Sequence, residues 1–342
     1  MSSAVGKLAN PATGLATPIG SARFERRLVR LVFRPELPAL VFLCILLAVF
    51  AATAQGFFTV ANLQQILVGS SILGIIALGL NQVILAGEID VSVGSGLAIC
   101  AWAAGEVAVK HGGLLLTAAT ALGLGAMIGL INGLLVIKAR IPSIIVTLAT
   151  MYAFQGAEEV FNAIGVAGIP GSARGFGAGT LLGLNMGAVV LLGTFVAVAL
   201  LMHHTPWGRE TPAVGGNRRA ARQAGLPVGA ICLATFVLTG LCVGLAALVY
   251  VGQVAAVQSN TGSDLVLPVI AAVVVGGTSI TGGRGSTLSA LVGAVLIGAV
   301  LDGMSLLGIV ERWQDVFTGS IVLLAVGSDV VRRRVLGRLV VS

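Results

Sequence analysis

The sequence predicts an all-α fold, a polytopic transmembrane helical bundle of about ten spans. Three observations predict it. Of 342 residues, 57% are hydrophobic and only 10% charged, against about 25% charged in an ordinary soluble domain. Mean hydropathy is +1.04. The apolar residues fall in long runs without a charge, such as Leu37 to Gly87 and Gln223 to Ser263. With 20 basic and 13 acidic residues the chain cannot clothe a soluble surface. A soluble enzyme, a disordered chain and a disulfide scaffold are therefore excluded. A transmembrane β-barrel would show short alternating segments instead. The 48 glycines and few aromatics fit helices packed through small residues.

A spanning helix needs ~20 mainly apolar residues. Cutting the runs at Gly, Pro, Asn and charged clusters gives segments near 38–56, 63–86, 91–109, 114–137, 142–162, 179–203, 228–256, 265–279, 286–306 and 315–331. Shorter members such as 265–279 fit half-helices buried in the bundle. Residues 1–36 form a basic lead, 37–331 the transmembrane domain with a long connection at 209–227, and 332–342 a basic tail. Ala52-Thr53-Ala54 mimics a signal-peptidase site, but the run before it starts late and many spans follow, so the first helix is expected to stay uncleaved.

The net charge of +7 would fit nucleic acid in a soluble protein. Here its placement carries the meaning. With the N-terminus in the cytoplasm and ten alternating spans, 17 of 20 basic residues fall inside. Only Lys110, Arg174 and Arg312 fall outside. Cytoplasmic loops are enriched in Lys and Arg in this way. Both termini are therefore expected in the cytoplasm of a multi-pass inner-membrane protein. No nucleic-acid partner is expected.

Within 114–137, Gly125, Gly129 and Gly133 recur every four residues, as do Gly240 and Gly244 in the seventh span. That spacing lets helix backbones approach closely, within the bundle or at a subunit contact. Cys44, Cys100, Cys232 and Cys242 lie in apolar stretches without a CxxC pair and read as free thiols.

Enzyme motifs are missing. The sequence has no HExxH, no GxSxG, no DDxxD and no GxxxxGK[ST]. No catalytic residue, metal or cofactor is expected, and the chain lacks a P-loop of its own. Gly277 to Arg284 imitates one without its lysine and reads as a glycine-rich turn.

Two constellations carry information. In Gly87-Glu88-Ile89-Asp90-Val91-Ser92-Val93-Gly94-Ser95, two carboxylates sit beside a span, where charge is costly unless paired or wetted. Asp90 or Ser92 can cap the following helix; the alternative is solute or proton contact by Asp90. The connection Arg209 to Pro227 reads RETPAVGGNRRAARQAGLP. Its pattern predicts a Gly215-Gly216 turn, an Asn217 cap, a short amphipathic helix with Arg218, Arg219, Ala221 and Arg222, and a stop at Gly225. A membrane-surface helix and a docking knob for a cytoplasmic partner both fit that pattern.

That connection resembles the coupling loop of sugar-type ABC importer permeases, the family of ribose, xylose, galactose and autoinducer-2 transporters. The stretches GEIDVSVGS (Gly87 to Ser95), IPSIIVTLAT (Ile141 to Thr150), IAAVVVGGTSITGGRGS (Ile270 to Ser286) and LDGMSLLGIVERWQ (Leu301 to Gln314) are similar to the same family, in order, over ~60–330. Glu88 departs from it, where a second glycine is common, and so do Asn81-Gln82. The resemblance implies a type II importer-like bundle and a dimer of this subunit or of two related ones. It also implies separate ATPase chains, and a periplasmic or lipid-anchored binding protein that delivers a monosaccharide. Gly215, Gly216, Asn217, Arg218, Arg219, Ala221, Arg222 and Gly225 would then seat in the ATPase.

The solute path is expected among the polar groups within spans: Asn81, Gln82, Thr147, Thr150, Gln155, Gln253 and Asp302, together with Asp90. Each alternatively makes a helix–helix hydrogen bond. Two other transport classes compete. A related permease for nucleosides or branched-chain amino acids would differ in solute. An ion-coupled carrier would work with no ATPase and would need buried, partnered carboxylates, for which Asp302 is a weak candidate. A membrane enzyme lacks every motif above.

Overall fold

The computed structural model describes residues 37–310, 312–324 and 327. The basic lead and the basic tail, with the cytoplasmic termini expected of them, lie outside the described residues. The described chain is a helical bundle. Its elements in order are α1 (Leu37–Thr53), α2 (Val60–Leu85), α3 (Val93–His111), α4 (Leu114–Ile137), α5 (Ser143–Phe161), α6 (Met186–His204), α7 (Pro206–Gly216), α8 (Arg218–Gln223), α9 (Val228–Val254), α10 (Val266–Val275) and α11 (Thr287–Leu306). A helix also covers 312–324. Among the described residues α2, α3, α4, α6, α9 and α11 are long and apolar enough to cross a membrane. Ten-residue α10 spans only ~15 Å at 1.5 Å per residue. It is a half-helix, as its length in the sequence implies.

Helix α2 is the axis of the bundle. From Ser70 to Leu85 all of its residues but Ile72 are buried. It packs against α6, α9, α10 and α11. A helix that is apolar all round finds neighbours on every side. Thr59 caps its start by accepting from the Asn62 amide at 3.3 Å.

Helices α4 and α9 make the most extensive contact. The fourth-residue glycines predicted from sequence face one another: a Cβ on Gly125 would strike the Gly240 carbonyl, one on Gly129 the Phe236 carbonyl, and one on Gly244 the Ala121 carbonyl. The same device joins the half-helix to α11, where Gly276 lies against the Ser289 carbonyl and Gly293 against that of Ala272. Without a side chain at these positions the backbones meet directly.

Two of the element boundaries differ from the sequence expectation. The span expected from 179 begins only at Met186, because residues 180–185 form a hairpin of β2 (Thr180–Leu181) and β3 (Leu184–Asn185), and Asn185 then caps α6. Its turn holds Leu182 at φ 54° and Gly183 at φ 82°, the paired positive φ that tight hairpins need. Strands β1 (Val166–Ala167) and β4 (Ala256–Val257) pair antiparallel and tie the α5–α6 connection to the end of α9. The second difference is at Gly215-Gly216, which is no turn but the last turn of α7.

Candidate coupling face and solute path

At one end of the bundle three connections meet through glycine backbone. They are the α2–α3 break, the end of α7 and the turn between α10 and α11. The Gly283 amide donates to the Leu85 carbonyl at 3.0 Å. A Cβ on Gly215 would strike that same carbonyl, and one on Gly282 would lie 2.7 Å from the Gly87 Cα. Gly87, Gly282 and Gly283 also hold positive φ, of 77°, 81° and 75°, where a side chain is strained. This is why Gly215-Gly216 stays helical: the pair is there for close approach, not for bending.

Helix α8 grows from that junction. Asn217, in extended conformation, accepts from the Ala220 amide at 2.9 Å and caps it, as its position in the sequence predicts. At the other end Gly225 adopts φ 81°. Its amide donates to the Arg222 carbonyl, and the Leu226 amide to the Ala221 carbonyl, both at 3.0 Å. That is the paired closure of a glycine-stopped helix. Ala221 is buried in a small cluster with Ala86, Val214, Val228, Ile231 and Cys232, which is separate from the main core. Arg219 and Arg222 are exposed on the outer face.

Arg218 points the other way. Its guanidinium donates to a Glu88 oxygen at 2.5 Å and to the Ala86 carbonyl at 3.1 Å. The three arginines of α8 thus divide: two face outward and one holds the helix to the bundle. Glu88, the departure from the resembled family, is the partner of that one.

The carboxylate of Asp90 accepts from the Ser92 amide at 2.9 Å and the Ser92 hydroxyl at 2.6 Å. Asn132 donates to that hydroxyl at 2.8 Å. The capping of α3 expected from Asp90 or Ser92 does not occur. Asp90 reaches only as far as Ser92, which holds the cap position without a side-chain bond. Asp90 is buried, and burial pushes its carboxyl above the ordinary 3.8, against the pull of its bonds with Ser92 and Asn132.

The remaining path candidates lie mostly within helix contacts. Asn81 accepts from the Thr278 hydroxyl at 2.6 Å and donates to the Ser286 carbonyl. Gln82 donates to the Leu78 carbonyl, and its side-chain carbonyl is buried. Thr147 donates to the Ser143 and Ile89 carbonyls, and Thr150 to that of Thr147. Gln253 donates to the Ser71 hydroxyl at 3.2 Å, and Asp302 accepts from Asn62 at 2.8 Å. Gln155 differs. It lines a recess of about 30 Å³ with Ser95, Glu158, Asn260 and Thr261, whose remaining wall is largely apolar, with Ala98, Met151 and Val266. Sequence reasoning missed Glu158. The signal was available in Glu158-Glu159, two carboxylates inside the otherwise apolar run 142–162.

A family model described as the branched-chain amino acid transport system permease component matches residues 62–326. The chain belongs to this permease family. It is similar to the ribose import permease protein RbsC of Escherichia coli, with 36% identity over 299 residues, 86% of this chain and 93% of the relative. It is similar to the L-arabinose ABC transporter permease protein AraH of Azospirillum brasilense, with 36% identity over 296 residues, 86% and 87% of the two chains. It is also similar to the autoinducer 2 import system permease protein LsrC of Klebsiella pneumoniae, at 35% over 304 residues, 89% and 88%. The chain is thus a multi-pass membrane permease, a transport subunit rather than an enzyme.

Proposed function

We propose that this permease carries a monosaccharide, or a related small polyol-like solute, inward across the bacterial inner membrane as one subunit of an ATP-driven importer. Separate ATPase chains drive it, a periplasmic or lipid-anchored binding protein supplies the solute, and a second permease copy, identical or related, completes the pore. The observation that carries this reading is α8. It is a capped helix at the end of the bundle, seated by Ala221 and Arg218, with Arg219 and Arg222 exposed for an acidic cleft. Its footing on three touching backbones makes it a lever: a push on α8 moves the α2–α3 break and the α10–α11 turn together. Such coupling needs two packings of the bundle that both partners bias. The end bearing α8 is the cytoplasmic one, where most basic residues fall. The sugar class rests on the relatives, which match over most of both chains, and on the stretches quoted above.

The test is co-expression with the cognate ATPase and binding protein. The chain alone should hydrolyse no ATP, and the assembled complex should take up labelled pentose or hexose only with ATP inside. Arg219→Glu with Arg222→Glu should weaken recovery of the ATPase by about tenfold or more. Uptake without any ATPase would overturn the reading. Leucine uptake without sugar uptake would favour the amino-acid class named in the family description.

A further inference from the structure

The recess beside α5 contains a carboxylate that the coupling face does not use. Glu158 is 1% exposed. Its Oε1 accepts from Asn162 Nδ2 at 2.6 Å and its Oε2 from the Asn260 amide at 3.2 Å. Both donors are neutral. The ion pairs among the described residues are Lys110–Glu106 and Arg218–Glu88, and Glu158 is in neither.

Its burial makes that unusual. The recess is shared with Ser95, in the first turn of α3. Glu158 stands in the last turn of α5, ~22 Å from the α8 end of that helix, where the Ser143 hydroxyl accepts from the Ile89 amide. A charge buried so fully without a cation costs several kcal/mol and marks a candidate functional site. The nearby Asn162 side-chain carbonyl is a second buried acceptor without a partner among the described residues.

The recess thus sets a few acceptors against an apolar wall that includes Ala98, Met151 and Val266. A carboxylate offers about four acceptor positions, and Glu158 has two in use. Gln155, one turn earlier on α5, adds an amide, and Thr261 adds a hydroxyl. A solute suited to it is uncharged and carries adjacent hydroxyl donors. A sugar acid or sugar phosphate would meet an unscreened negative charge in a low-dielectric interior. The volume of about 30 Å³ is closer to a water than to a sugar. A sugar would need the recess to widen and to displace the Asn260 amide from the Glu158 oxygen that it now bonds.

We propose that Glu158 is a specificity-determining residue of the permease, accepting hydrogen bonds from the hydroxyls of a passing neutral sugar and turning anionic sugars away. The proposal rests on the reading that a sugar crosses this subunit. It is tested in proteoliposomes holding the complete importer, with labelled ribose, or another pentose or hexose that is taken up, and each of its monodeoxy forms. The readout is the uptake ratio of parent sugar to deoxy form, which cancels the preference of the binding protein when two permease variants are compared. For at least one position the ratio should fall about fivefold or more in Glu158→Ala relative to the unmodified chain, since a bond to a charged acceptor is worth about tenfold. Glu158→Asp should restore part of it. Ratios unchanged at every position would overturn the proposal, even if total uptake fell with poorer folding. If the unmodified importer takes up no sugar at all, the broader function falls and this inference with it.

Discussion

At the residue scale, the pair Arg218–Glu88 separates holding from docking. Glu88 has a side chain 9% exposed and Arg218 one 38% exposed, so the pair is partly screened but not a free surface contact. Removing Arg218 leaves the Glu88 carboxylate buried without its partner. Arg218→Ala should destabilise the protein by about 1–2 kcal/mol, a value already reduced for solvent screening. Arg219→Ala, on the exposed face, should change stability by less than about 0.5 kcal/mol. Melting in detergent measures both, and a cycle with Glu88→Gln isolates the pair; additive effects would show that the two side chains do not interact. Much of this site was legible. Asn217 is a cap because a side-chain oxygen before a helical run has orphan amides to accept from, and Gly225 is a stop because only glycine takes that φ cheaply. The inward turn of Arg218 was not legible, since its partner is 130 positions away. Nor was the role of Glu158, whose neighbours come from three separate elements.

At the element scale, glycine spacing announced close helix contact but not its partner. Gly125, Gly129 and Gly133 read equally well as an internal seam or a subunit face; only the folded chain lays them on α9. The half-helix α10 was legible from length, because the segment 265–279 falls short of the ~20 residues that ~30 Å of hydrocarbon needs. Helix α7 was misread because Pro212 and the glycine pair are poor helix formers locally. Packing overrides that preference, since Gly215 must lie on the Leu85 carbonyl. The α4–α9 seam gives a direct comparison. Gly125→Ala should cost about 1–3 kcal/mol by forcing the backbones apart. Gly123→Ala, two residues earlier in the same helix with open space around it, should gain about 0.5–1 kcal/mol from better helix propensity. Equal melting shifts for the two would show that the seam is not tight.

At the scale of the whole molecule, the charge count predicts which end faces the cytoplasm. Helix α6 separates the β2–β3 hairpin from α7 and α8, so Leu182 and Arg222 lie at opposite ends; both are exposed. In right-side-out vesicles, a membrane-impermeant thiol reagent should modify Leu182→Cys and spare Arg222→Cys, in a background without the native thiols. The reverse pattern would invert the topology. The two apolar clusters have a consequence of their own. The helices crossing the bundle share one large core, whereas α7 and α8 are rooted in a separate cluster of six buried residues with Ile137, Trp207 and Leu226 packed against it. Regions with few buried contacts open at a lower free energy than the core around them. The lever can therefore melt locally while the bundle stands, and an ATPase seated on it would act as the missing half of a folding unit.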